Sequence, residues 1–413
     1  MASIQNPQSA TTVYLDQPPS CLEFCPEAPD YFIVGTYLLS EIKAEDGEIQ
    51  QRKTGSLQLW KLDPVSKALS QIQKIAVPYA VFDLHFHPTQ KNIFAIASSV
   101  GSVALFQLSI DSTGDASTTD PNMTELWTKQ VHEDSSIPAL FLAWAPQNWF
   151  PRSPADGFAV TFSDSRTAVF GTQGDLRKEE SVVEWGTYEA KQMIEVWFVA
   201  LASMAGSSPA AGQKPIESPF MFTGNDFGSL HTRRFDNTAE LDDPDESISP
   251  MLLEHDDRAR HHTAGVTAIL PLPVPLVDDA PILLTGSYDE GLRVYHASRR
   301  GEVLAEESLE GGVWRLQLLD TTKITDSEDC FLVLASCMHA GTRVVRVKCK
   351  QQDGSSEWEI EVLAKFTEHE SMNYASGVWN GAKASEKADQ SSELLVVSSS
   401  FYDRRLCVWI ATV

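Results

Sequence analysis

The chain has 413 residues, 42% of them hydrophobic, with 23 glycines, 22 prolines and 10 tryptophans. That is enough apolar material for a sizeable core, and it excludes wholesale disorder, a collagen-like fibre and a disulfide-stapled miniprotein. A formal net charge of −25 lacks the basic footprint of a nucleic-acid binder, so DNA and RNA are set aside as ligands.

The cysteines (Cys21, Cys25, Cys330, Cys337, Cys349 and Cys407) are irregularly spaced. Cys21 and Cys25 have no second pair to complete a zinc site, so no metal is expected. The polar start, MASIQNPQSATT, has no apolar run of a signal peptide, and no stretch of about 18 apolar residues suggests a membrane span. The expectation is a soluble, reduced, cytoplasmic monomer without a membrane partner.

Helical periodicity is scarce along the chain. Short β-rich runs recur instead, each a Gly- or Asp-containing turn followed by a strand ending in an aromatic or its equivalent. They read KTGSLQLWKL (53–62), SSVGSVALFQL (98–108), FSDSRTAVFG (162–171), GNDFGSLHTRRFD (224–236), GSYDEGLRVYH (286–296), CMHAGTRVVRV (337–347) and SFYDRRLCVWI (400–410). The closing positions, Trp60, Phe106, Phe170, Phe235, Tyr295, Arg346 and Trp409, are spaced by 46 to 65 residues.

Such a period, stretched by insertions, marks a β-propeller with four strands per blade. Each copy supplies the second strand, a turn and the third strand of a blade. First strands are expected at 21–26, 81–88, 139–146, 194–201, 266–273, 313–320 and 375–381. The expected fold is therefore all-β, a seven-bladed propeller forming one domain over residues 1–413. Polar stretches near 110–136, 202–217, 236–262 and 382–392 are expected to be surface insertions. The TTVYL run (11–15) is expected to close the ring beside the last blade, which removes an open edge.

Propeller geometry brings the inter-blade connections and the turns between second and third strands to one face. The fifth turn carries Tyr288, Asp289 and Glu290. The sixth blade contributes Gly311-Gly312-Val313-Trp314-Arg315 and Cys337-Met338-His339. The seventh contributes His369, Ser371 and Tyr374, with Phe401-Tyr402-Asp403 in its turn. Several have a structural alternative. Asp289 and Asp403 also suit tying down a turn backbone. His369 also suits an inter-blade tie, Trp314 a core position and Ser371 a hydrogen-bonding loop. His339 stands where sibling turns carry Asp, which points to chemistry. The chain has no GxSxG elbow, P-loop, GxGxxG after a strand or HExxH, so an enzymatic site would be assembled from loops.

On the segments TGSYDEGLRVY (285–295), GGVWR (311–315), LASCMHAG (334–341), HESMNY (369–374) and SSFYDRRLCVW (399–409), the chain resembles a family. It is the WD-repeat diphthine methyl ester hydrolases of the diphthamide pathway, whose propellers are of the WD40 type. Weaker matches are FTGNDFGSLHTRRFD and IEVW (194–197). The firm part covers about residues 190–413. Departures are Tyr295-His296 for the expected W-D, Tyr374-Ala375 and Val378-Trp379 after the H-x-S motif, and Asn225 for an Asp.

The resemblance implies hydrolysis of the methyl ester on the diphthine of elongation factor 2, which would be the protein partner, with no cofactor. That chemistry needs an activated nucleophile, a proton-transfer group and an oxyanion donor. His339 or His369 would deprotonate a water, with Asp403 orienting the imidazole. Arg315 or the Gly311 and Gly312 amides would hold the oxyanion. Trp314, Tyr374 and Tyr402 would cage the trimethylammonium group of diphthine, with Asp289 or Glu290 adding negative charge. Ser371 or Cys337 as a covalent nucleophile is the less favoured route. The alternative from another class is a non-catalytic WD40 scaffold, since fold alone does not decide function.

Overall fold

A computed structural model describes residues 3–43, 49–110, 121–151, 155–206, 217–236, 250–325, 327–352, 355–381 and 393–413. The strands form seven antiparallel sheets, the blades of a seven-bladed β-propeller. In chain order the first strands of the blades are Pro19–Phe24, Val81–Phe86, Ala139–Trp144, Val196–Ala205, Val266–Pro271, Arg315–Thr325 and Ser376–Val378. The seven expected first strands are thus all present. The first blade carries an extra strand, Leu38–Lys43, paired with the early part of Ile49–Leu62.

Burial explains which strands the sequence announces. The second strands Ile93–Ser98 and Ile282–Ser287 are buried at every position. Such strands are covered on both faces and read as continuous apolar runs. Fourth strands such as Leu69–Val77 and Met251–Asp256 are mostly exposed or half-buried. Their polar positions blur the strand signal.

This corrects the expected insertions. Asn122–Gln130 and Met251–Asp256, inside the stretches 110–136 and 236–262, are the fourth strands of blades two and four. Residues 202–205 continue a first strand. Residues 111–120, 207–216, 237–249 and 382–392 lie outside the described residues.

The described chain groups into two compact units, one of residues 1–139, 334–344 and 362–413, the other of residues 140–333 and 345–361. In the first unit, one core cluster centres on Ile33, Leu59, Phe94, Ile96 and Phe106, and another on Phe32, Val34, Leu406 and Val408. The second unit has its own cluster around Trp149, Phe198, Phe220 and Phe222, in which the Trp149 indole N–H donates to Phe220 O at 2.9 Å.

The N-terminal strand Ser9–Tyr14 pairs antiparallel with Arg405–Thr412 and is the outer strand of blade seven. Ahead of it, Gln5 N donates to Leu363 O and Lys365 N donates to Gln5 O, each at 2.9 Å. Closure by the 11–15 run is as the sequence led us to expect.

The first strands of blades one and two are joined by a charged bridge. His85 Nδ1 lies 2.9 Å from Glu23 Oε2, and Nε2 lies 2.9 Å from Asp83 Oδ2. Burial works against protonation of His85, but the two carboxylates outweigh it and push its pKa up to about 10.

Two expectations follow from these contacts. Deleting residues 1–16 bares the hydrogen-bonding edge of Arg405–Thr412, so the truncated protein should aggregate in size-exclusion chromatography while the full chain does not. His85 holds its proton more tightly folded than unfolded, so its stabilisation is full below pH about 6.5 and is lost as pH rises through about 10. Melting temperature across that window should fall more steeply for the native protein than for His85→Gln.

Candidate functional site

In the second unit, three consecutive blades place comparable residues at the start of their first strands. Val196-Trp197, Val266-Thr267 and Val313-Trp314 occupy the same step, each opening on a buried valine. The small Thr267 in the middle leaves room for the two indoles, whose centroids approach to 5.6 Å. Tyr288, from the turn of blade five, completes the group at 5.9 Å from Trp314 and 6.2 Å from Trp197. All three rings are half-buried.

Arg315 follows directly. Its guanidinium carbon lies 4.7 Å from the ring centres of both Trp314 and Phe141, and 5.6 Å from that of Phe198. Nη1 donates to Trp314 O at 2.9 Å and to Thr267 O at 3.3 Å. Aromatic faces and carbonyl oxygens thus hold a cation in place.

The connection before this strand is unusual. Leu309 N donates to Glu290 O, and Val313 N donates to Ser287 O, both at 2.9 Å. Between them, Gly311 and Gly312 are buried, and neither amide N–H meets an acceptor among the described residues. Buried N–H groups without partners are rare in folded proteins. Glu290 sits half-buried in its turn at φ 67°.

Asp289 belongs to the turn instead of a ligand pocket. Its carboxylate accepts from the Thr263 amide at 2.9 Å, the Gly291 amide at 3.0 Å and Arg293 Nη1 at 2.9 Å. His262 Nδ1 lies 3.2 Å away, and His262 Nε2 is 2.9 Å from Thr285 Oγ1. Burial favours a protonated Asp289, yet these bonds hold its pKa well below the usual carboxylate value.

In the first unit, His369 makes a similar internal tie. It is buried, with Nε2 2.8 Å from Ser398 Oγ, which also accepts from the Trp409 indole N–H at 2.9 Å. Burial lowers the His369 pKa to about 4 against the pull of Asp403. A ring so enclosed is withdrawn from the expected role of base. Asp403 accepts from the Glu370 amide at 3.1 Å and from the Ser400 hydroxyl, and so fastens turn to connection.

The two expected nucleophiles are engaged as well. Ser371 Oγ accepts the amides of Met372 at 2.6 Å and Tyr402 at 2.7 Å, which occupies its lone pairs. Cys337 is fully buried, with its thiol 3.6 Å from Ala335 O. His339, by contrast, is an exposed turn residue without a hydrogen-bond partner among the described residues.

Tyr374 and Tyr402 gather around Phe401, with centroids 5.4 and 5.0 Å from it. Tyr37 joins at 6.0 Å and lies 5.4 Å from Phe82. Burial raises the Tyr37 and Tyr374 pKa values, which keeps both phenols neutral, whereas Tyr402 is 70% exposed. The residues missed as site candidates are Trp197, Asp226, Phe141 and Phe198. The repeated Val-Trp step of IEVW and GGVWR was the signal available for Trp197.

Comparisons with known proteins bear on this site. The chain is 21% identical over 415 residues to a diphthine methyltransferase homolog of Dictyostelium discoideum, covering 97% of this chain and 98% of that protein. It is 24% identical over 400 residues to diphthine methyltransferase of Schizosaccharomyces pombe, covering 97% and 96%. Over its whole length the chain is similar to these two proteins at 21–24% identity. The human diphthine methyltransferase matches over 118 residues at 29% identity, 29% of this chain and 23% of the human protein. No family model matches.

Among solved structures, Sqt1 from Chaetomium thermophilum, bound to the N-terminus of ribosomal protein L10, superposes with a TM-score of 0.55 at 11% identity, covering 95% of this chain and 86% of that one. Saccharomyces cerevisiae Sqt1 gives 0.55 and 11% over 99% and 100%. These establish the propeller fold.

The internal ties generate a prediction. Because His369 is more basic unfolded than folded, its contribution is present above pH about 6.5 and is lost as pH falls toward about 4. His369→Ala should remove a buried hydrogen bond and lower stability by about 1–3 kcal/mol. The native protein's melting temperature should drop on acidification, and the variant's should drop less.

Proposed function

We propose that the protein hydrolyses the methyl ester of the diphthine intermediate on elongation factor 2, leaving the carboxylate that is later amidated to diphthamide. The carrying observation is the segment 311–315, where two buried glycines whose amides meet no acceptor among the described residues lie just before a guanidinium held by aromatic rings. Such donors suit an oxyanion. The names of the full-length relatives support a role in the diphthamide pathway. A non-catalytic scaffold has no use for the unsatisfied amides.

Water oxygen attacks the ester carbonyl carbon, and the carbonyl π electrons move onto oxygen. The Gly311 and Gly312 amides and Arg315 stabilise that oxygen. As the carbonyl re-forms, the C–OCH3 bond breaks; methanol leaves with a proton, and the carboxylate remains. His339, exposed where His369 is enclosed, is kept as the proposed proton acceptor on the sequence reading alone. No cofactor enters this chemistry. The substrate is a protein side chain, and the reaction belongs in the cytoplasm with translation.

The deciding assay incubates purified protein with elongation factor bearing methylated diphthine and reads the factor by mass spectrometry. Loss of one methyl for hydrogen, with release of methanol, is expected. In a parallel incubation of the unesterified factor with S-adenosylmethionine as methyl donor, gain of a methyl would establish methyl transfer and overturn hydrolysis, as would an unchanged esterified factor in the first incubation. Arg315→Gln should lower kcat by about 10²–10³-fold, the usual effect of removing one oxyanion donor. Arg315→Lys, which keeps the charge and loses the fork, should fall between. His339→Ala should cost about 10²–10⁴-fold with unchanged melting. Full activity in that variant would remove His339 from the mechanism.

A further inference from the structure

We propose that Trp197, Tyr288 and Trp314, together with the carboxylate of Asp226, form a receptacle for a quaternary ammonium group. This deepens the esterase reading, on which the placement of a substrate there rests; the receptacle itself stands on its own geometry. A quaternary ammonium donates no hydrogen bond, so aromatic faces and a nearby carboxylate are what can recognise it. Here three half-buried rings meet within 5.6–6.2 Å of one another.

Asp226 adds the negative charge. Its Oδ1 accepts the Trp197 indole N–H at 2.7 Å, which fixes the ring, while Oδ2 has no hydrogen-bond partner among the described residues. The turn does not need this carboxylate, because Asn225 closes it. Asn225 Oδ1 accepts the Ser229 amide at 2.9 Å, and Asn225 O accepts the Gly228 amide at 3.1 Å. Asp226 also stands at the turn step that blade five gives to Tyr288. Asp226 N donates to Glu195 O and Tyr288 N to Gly265 O, in matching positions before the first strands. Tyr288 is seated on Gly265, where an added Cβ would come within 2.9 Å of its ring and 3.0 Å of the Asp226 Cα.

The arrangement is bipolar. Arg315 already lies against Trp314 at 4.7 Å, so the incoming cation is carried mainly by Trp197, Tyr288 and Asp226. On the esterase reading, the guanidinium and the Gly311 and Gly312 amides are left for the ester carbonyl. A ligand with a quaternary nitrogen close to an ester carbonyl matches both.

The test uses the full chain and two small probes of nearly the same shape, choline and its uncharged carbon isostere 3,3-dimethylbutan-1-ol, followed by tryptophan fluorescence and calorimetry. Choline should bind at least about tenfold more tightly than the isostere, since only the cation gains from rings and carboxylate. Trp197→Leu and Asp226→Asn should each weaken choline by about ten- to thirtyfold. Trp197→Phe, which keeps a ring, should recover part of the loss and guards against misfolding. A peptide carrying trimethyllysine should compete with choline if the group arrives on a protein chain; failure to compete while choline binds would assign the receptacle to free small cations. Equal binding of both probes, or binding of neither, would overturn the receptacle. Ester hydrolysis that proceeds with unaltered KM in Trp197→Leu and Asp226→Asn would overturn it while leaving the esterase intact. Choline binding without any hydrolysis would sink the esterase reading alone.

Discussion

Blade follows blade at the distance that a missing side chain allows. At the end of the second strand of blades one, four and five stands a glycine, and the valine that opens the next first strand fills the space. An added Cβ would lie 2.8 Å from Val81 Cγ1 at Gly35, 2.7 Å from Val266 Cγ1 at Gly224 and 2.4 Å from Val313 Cγ1 at Gly286. Contacts that short force the backbone apart, and overpacking of this kind costs about 1–3 kcal/mol. The consequence reaches the chemistry. Val313 is pinned by Gly286 and by its amide bond to Ser287 O at 2.9 Å, and the residues after it, Trp314 and Arg315, inherit their directions from that fixed point. The preceding glycines must bridge from Leu309 to Val313, and they do so without their amides reaching acceptors among the described residues.

Each unit spends polar residues on holding its own connections together. His262 with Asp289 and Thr285, and His369 with Ser398 and Trp409, bind a connection to the strands it joins. A buried imidazole kept neutral can accept one hydrogen bond and donate another without the desolvation cost of a charge. Rings enclosed in this way are shielded from proton exchange with a substrate, and His369 is held through Nε2 alone, its Nδ1 meeting no partner among the described residues. What remains for chemistry in the second unit is the Gly311 and Gly312 amides, which meet no acceptor among the described residues, and the second oxygen of Asp226.

This division explains what the sequence disclosed. The seven copies and their first strands were legible because middle strands are covered on both faces and carry unbroken apolar runs. Asn122–Gln130 and Met251–Asp256 were hidden because an outer strand with one face in solvent has the composition of a loop. Asp289 and His369 drew notice as chemistry because a tie and a catalytic group use the same residue types. Only burial and partners separate the two roles. Trp197 was legible in principle, since Val196-Trp197 repeats Val313-Trp314 across two blades. The amides of Gly311 and Gly312 were named through resemblance, but their lack of acceptors is a property of the folded connection, which no residue pattern carries.

On the proposed chemistry, the bipolar layout also says where catalysis gains. The quaternary nitrogen bears the same charge in the ester, the transition state and the product, so rings and Asp226 bind all three alike and contribute affinity, not rate. The carbonyl oxygen changes: it is a weak dipole in the ester and nearly a full charge in the tetrahedral state. Donors at Gly311, Gly312 and Arg315 therefore strengthen as the reaction proceeds, and fixed amides need no reorganisation to meet that charge. In the product the negative charge is shared by two oxygens and lies close to its own ammonium, which weakens its hold on the guanidinium. A site that grips the invariant cation and answers only the transient anion can position a flexible side chain of a large protein and still release it once the methanol has gone.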